Sequence, residues 1–63
     1  MKRLETIPNN KTGREAKVYR DSIWQEWRVK HYQDGTHLAE ADYHTDHKDD
    51  AQHHARAWAW AKS

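Results

Sequence analysis

A chain of 63 residues that is 35% hydrophobic and 33% charged, with no cysteine and no phenylalanine, holds one domain at most, near the lower limit at which an unaided core supports itself. The lack of cysteine excludes a disulfide framework and thiolate metal sites. No apolar run is long enough to span a bilayer, and Met1-Lys-Arg-Leu-Glu-Thr6 lacks the apolar segment of a signal peptide, so a cytoplasmic protein without membrane contact is expected. Bulk is concentrated in four tryptophans and three tyrosines, which have to supply most of the buried area. The formal charge of +1 is uneven: residues 1–20 hold six Lys/Arg against two Glu, and residues 21–63 hold five against eight Asp/Glu. Six histidines, titrating near pH 6.5, would make the molecule strongly positive on mild acidification.

In residues 1–14, Ile7-Pro8-Asn9-Asn10 and Thr12-Gly13 break any regular period, and Lys2, Arg3, Lys11 and Arg14 share no face. This segment reads as a flexible basic arm ahead of a single βββα domain at 15–63. Glu15 to Arg20 alternates, with Ala16, Val18 and Arg20 on one side and Lys17 and Tyr19 on the other, as a first strand would. Asp21-Ser22 supplies turn chemistry. Trp24 to Tyr32 and Thr36 to His44 then flank Asp34-Gly35, a strong hairpin signal. In the first of these strands Trp27, Val29 and His31 form the better core face, leaving Trp24, Glu26, Arg28, Lys30 and Tyr32 outside. In the second, Ala39, Ala41 and Tyr43 are the expected core face, with Leu38, Glu40, Asp42 and His44 outside.

After Tyr43 the period becomes helical. Thr45 or Asp46 can cap the first amides, Asp49 and Asp50 suit the positive end of the helix dipole, and Asp46 to Lys62 is rich in alanine without Gly or Pro. Ala51, His54, Ala55, Trp58 and Ala61 fall towards the sheet, and Trp60 falls on the opposite side, since each residue turns about 100°. Trp27 and Trp58 are expected to meet across the sheet–helix interface. The expected fold is therefore α+β: a three-stranded antiparallel meander with one C-terminal helix on one face.

Trp27-x-Val29-x-x-Tyr32-x-Asp34-Gly35, followed by Thr45 leading to Asp49-Asp50-Ala51, resembles the AP2-like arm-binding domain of tyrosine-recombinase integrases, related in fold to plant AP2 DNA-binding domains. The resemblance spans about residues 15–61. It implies that one face of a three-stranded sheet packs on the helix and the other enters the DNA major groove. The chain departs from that pattern in placing Glu40 and Asp42 where phosphate-facing Lys or Arg would be expected, and no recombinase domain is expected to accompany it. A free-standing chain of this kind is similar to small accessory proteins of temperate phages or mobile elements.

Lys17, Tyr19, Trp24, Arg28, Lys30 and Tyr32 mix cations with flat rings as nucleic-acid surfaces do, and Lys11 and Arg14 of the arm would add phosphate contacts. The same residues also suit an ordinary solvated sheet face or a disordered terminus. On the helix, Trp60 beside Arg56 and His53 has the composition of a protein-interface hot spot, and a homodimer through Trp60, with or without Trp24, would give so small a protein more buried area. His44, His47, His53 and His54 lie among aspartates, but their spacing matches no strong zinc signature, and no metal or other cofactor is expected. There is no nucleophile elbow, Gly-rich phosphate loop or buried carboxylate pair, so no enzyme is expected. Double-stranded DNA or a nucleoprotein complex is the first expected partner. A host protein, met by Trp60 and the acidic helix start as an inhibitor or adaptor would meet it, is the second.

Overall fold

In the computed structural model, which describes residues 2–61, five strands and one helix follow in the order β1 (Lys2–Asn9), β2 (Arg14–Asp21), β3 (Glu26–Gln33), β4 (Thr36–His37), β5 (Tyr43–Thr45) and α1 (Lys48–Ala59), with a 3-10 turn at Ala39–Ala41 before β5. The antiparallel sheet runs β1-β2-β3-β4, and β5 pairs with a different stretch of β3. The fold is α+β with a C-terminal helix, as expected, but the sheet has more than three strands.

The additional strand is the segment that reads as a flexible arm. Lys2–Asn9 pairs with β2 along its length, with Ile7 opposite Ala16 and Asn9 opposite Arg14. Two features hid it from alternation. Pro8 breaks the period, and it is tolerated because β1 is an edge strand. The register also shifts between Arg3 and Glu5, so Leu4 is a bulge residue, and an extra residue inverts the faces on either side of it. Arg3, opposite Tyr19, thus lies on the outer face, while Glu5, opposite Val18, turns to the helix, where it accepts from Gln52 and Arg56, each at 3.2 Å.

β2 and β3 follow the expected alternation. Ala16, Val18 and Val29 are fully buried, and His31 is 1% exposed. Asp34-Gly35 forms the tight turn, both residues having positive φ (51° and 85°), as a type I′ hairpin requires. The strand after it does not run unbroken to His44. Ala39-Glu40-Ala41 favours helical backbone over pleated strand and closes a 3-10 turn, with Ala41 N–H donating to the Leu38 carbonyl at 3.0 Å. Three residues are thereby added between the β4 and β5 registers on β3, and an odd insertion exchanges the faces. Tyr43, opposite Val29, still packs on the core. Ala39 is exposed, Ala41 is only half-buried, and Leu38, expected outside, is half-buried as well.

The close packing inferred from alanine comes from the helix instead. Ala51, Ala55 and Ala59, one turn apart, are all fully buried against Ile7, Ala16, Val18 and Val29, and their small side chains let the helix axis approach the sheet. The helix starts at Lys48 with His47 at the N-cap and no side-chain cap bond. Thr45 accepts from the His47 amide rather than capping the helix itself. Ala61 is exposed beyond the helix end, and Lys62, the expected last helical residue, lies outside the described residues. The expected Trp27–Trp58 contact gives way to two others. Trp58 meets His31, centroid to centroid 4.7 Å, and Trp27, four residues away on β3, lies under the Arg20 guanidinium at 4.3 Å. No helix among the described residues is long and apolar enough to cross a membrane.

Candidate nucleic-acid interface

α1 covers one face of the sheet and leaves the other open. Cross-strand partners share a face, so the pairings fix a grid on the open side. Arg3, Tyr19, Arg28 and His44 form one row, Thr6, Lys17 and Lys30 the next, and Pro8, Glu15, Tyr32 and His37 the third. Lys17 and Lys30 stand directly opposite each other at its centre. Each lysine reaches diagonally to a tyrosine: the Lys17 ammonium lies 4.7 Å from the Tyr32 ring centre and that of Lys30 lies 5.1 Å from Tyr19. Burial, and next the neighbouring Tyr19, push the Tyr32 hydroxyl above its ordinary range.

The expected contact residues separate into three groups. Lys17, Tyr19, Lys30 and Tyr32 come together as anticipated. Arg28 is on the same face but is held by two acids, Asp21 at 3.3 Å and Glu26 at 2.7 Å, which leaves the two lysines as the cationic centre. Trp24, Lys11 and Arg14 are elsewhere. Trp24 precedes β3 in the Ser22–Gln25 turn and is 72% exposed, and Lys11 sits exposed in the β1–β2 turn. Arg14 faces the helix, donating to the Trp58 carbonyl at 3.1 Å with its guanidinium 5.1 Å from the Trp58 ring centre.

Arg3 is the member that sequence reasoning missed as part of the face, because its placement depends on the bulge at Leu4. Acidic neighbours limit the charge of the surface. Glu15 lies 3.7 Å from Lys17, and Asp42 lies beside Lys30 in a notch of about 40 Å³ between β3 and β5. Asp42 is itself bonded to His37 at 2.9 Å, and Glu40 is exposed on the 3-10 turn. A second hollow, of about 150 Å³, lies between the β1–β2 and β3–β4 turns. Both fall short of the roughly 300 Å³ of a small-molecule cleft.

On the other side, His53 and Arg56 of α1 and Trp60 at its C-cap follow at three and four residues apart. Trp60 is 57% exposed, and Arg56 reaches Glu5 of β1. Trp24 and Trp60 lie at opposite ends of a molecule 34 Å long: Trp24 follows the end of β2, while the turn before Trp60 is bound to the start of β2 through Arg14. They do not form one patch. Among the described residues no three His, Asp or Glu are grouped to hold a metal ion. No family model, curated protein or solved structure matches the chain.

Proposed function

We propose that the protein is a small non-enzymatic binding module that holds double-stranded DNA, alone or in a nucleoprotein complex, against the open face of its sheet. The Lys17–Lys30 pair carries this reading. Like charges directly opposite each other destabilise a sheet, yet these two occupy its centre, and Lys30 has no salt-bridge partner among the described residues. A phosphate between them would relieve the repulsion, and Tyr19, Tyr32 and Arg3 would extend the contact along the backbone. The AP2-like resemblance supports the same face, and with it a regulatory setting in a phage or mobile element.

A second reading rests on the stripe of His53, Arg56 and Trp60. A half-exposed Trp beside Arg is the composition of a protein hot spot, and Asp49 one turn earlier on that stripe would suit a basic partner, as in an inhibitor or adaptor of a host protein. Titrating a short duplex into the isotope-labelled protein separates the two. Amide shifts centred on Arg3, Lys17, Tyr19, Lys30 and Tyr32 are expected. Shifts confined to His53–Trp60, or none at low salt, would overturn the DNA reading.

A further inference from the structure

We propose that His31 is a proton-sensitive joint between the sheet and the helix, coupled through His54, so that mild acid loosens α1 from the sheet. His31 is the largest fully buried side chain among the described residues. Among the described residues neither of its ring nitrogens has a hydrogen-bond partner. A neutral imidazole brings one donor and one acceptor, whereas the protonated ring brings two donors, so a proton here would add a charge and a second unmet donor inside the interface. The ring is wedged edge-on between the two helix residues beneath which it sits, 5.2 Å from His54 and 4.7 Å from Trp58. His54 is in turn stacked on Tyr43 of β5 at 4.0 Å. One buried ring thus touches the side chains that join helix to sheet.

The ionisable groups around it come from every neighbouring element. The helix presents His54, with Asp50 behind it bound to the Tyr43 hydroxyl. β4 carries His37 on the open face of the sheet, bonded to Asp42 of the link before β5. β2 presents Arg14 on the Trp58 ring, while directly opposite His31 it offers only Ala16. Burial and then His54 resist a proton on His31, and His37 does so more weakly. Asp42 and the nearby Ala41 carbonyl favour one, and the balance lies below the ordinary value of 6.5. The unfolded chain therefore takes this proton first as pH falls. Stability is complete above pH 6.5 and is lost below it, the folding equilibrium constant falling by up to about tenfold per pH unit for this one proton, until the folded ring also titrates. A proton on His54 deepens the loss by repelling one on His31.

The test is urea unfolding of the full chain at several pH values from about 7.5 to about 5, together with the ring-proton NMR titration of His31. The folding constant of the parent is expected to fall as pH drops below the ordinary histidine value of 6.5, by at most about tenfold per pH unit for this proton, and His31 to titrate below its ordinary value. His31→Leu should flatten the dependence, the exposed control His53→Gln should keep it, and His54→Gln should move the His31 titration upward. A parent equally stable across the range, a His31→Leu variant that keeps the parent's dependence, or a His31 ring that titrates at or above the ordinary value would each overturn the proposal. Should His31→Leu fail to fold, the ring titration in the parent still decides.

Discussion

The side-chain amide of Asn9, at the end of β1, donates to the main-chain carbonyl of Ala59, in the last turn of α1, at 2.8 Å. Asn9 is 5% exposed, and its own side-chain oxygen accepts from the Lys11 amide at 3.0 Å. The last carbonyls of a helix have no partners within it. Here Asn9 satisfies the Ala59 carbonyl and Arg14 the Trp58 carbonyl, so the N-terminal strand and the start of β2 fasten the helix end to the sheet. Asn9→Ala should cost about 1–3 kcal/mol by leaving a buried carbonyl unmet, whereas Asn10→Ala, at an exposed position, should be nearly neutral. Chemical unfolding of both variants measures the difference.

The same contact makes β1 part of the fold. Removing residues 1–9 would strip the sheet of its edge strand, take Ile7 from the core and free Glu5's partners on α1. The truncated chain should lose native chemical-shift dispersion. A truncated chain that kept it would return the segment to the role of a loose arm.

Two glycines in turns should respond differently to a methyl group. Gly13 has φ +75°, and a Cβ there would fall 1.9 Å from the Asp34 carboxylate, while Gly35 has φ +85° with nothing among the described residues within 4 Å of such a Cβ. Gly35→Ala should cost only the backbone strain, about 1–2 kcal/mol. Gly13→Ala should cost more, because the Asp34 side chain must move and the bond from the Asp34 amide to the Gly13 carbonyl, at 2.8 Å, ties the two turns together. Equal melting temperatures for the two variants would contradict the interlocking of these turns.

At the exposed end of the helix, Tyr43 donates to Asp50 and holds its carboxyl below the ordinary value of 3.8. The folded carboxylate gives up its negative charge less readily than the unfolded one, so its contribution is present above that value and is lost as pH falls through the folded one. Tyr43→Phe should raise the Asp50 titration, read by carboxyl-carbon NMR, and remove this acid-range dependence. An Asp50 titration unchanged by the substitution would show that the hydroxyl does not hold it.

The central β2–β3 pair, the Asp34-Gly35 turn and the helix were legible because each follows one uninterrupted period. Val18 and Val29 were placed correctly by alternation, and Ala51 and Ala55 by helical spacing. What escaped were the two odd insertions, the bulge at Leu4 and the 3-10 turn at Ala39–Ala41. Alternation assumes a constant register, and each insertion exchanges inside for outside, so Ala39 and Leu38 fall on faces opposite to those expected, while the broken period around the bulge makes Arg3 read as part of an arm rather than of a strand. Side-chain bonds over long sequence separation, such as Asn9 to Ala59 and Arg14 to Trp58, leave no local pattern at all. At the interface the types and faces of Lys17, Lys30, Tyr19 and Tyr32 were readable. That Arg28 is taken up by Asp21 and Glu26 depends on a turn geometry that spacing does not encode.

The salt dependence of duplex binding tests the central proposal most directly. Between about 50 and about 200 mM salt, log K for the parent should fall linearly with log salt, by about 0.9 for each phosphate neutralised. The Lys17→Gln/Lys30→Gln variant, with the open-face grid otherwise intact, should bind more weakly with a slope shallower by about 1.8, two contacts at about 0.9 each, while Trp60→Ala should follow the parent. No duplex binding by the parent at the lowest salt, or a slope that the lysine substitutions leave unchanged, would contradict a DNA-binding sheet face.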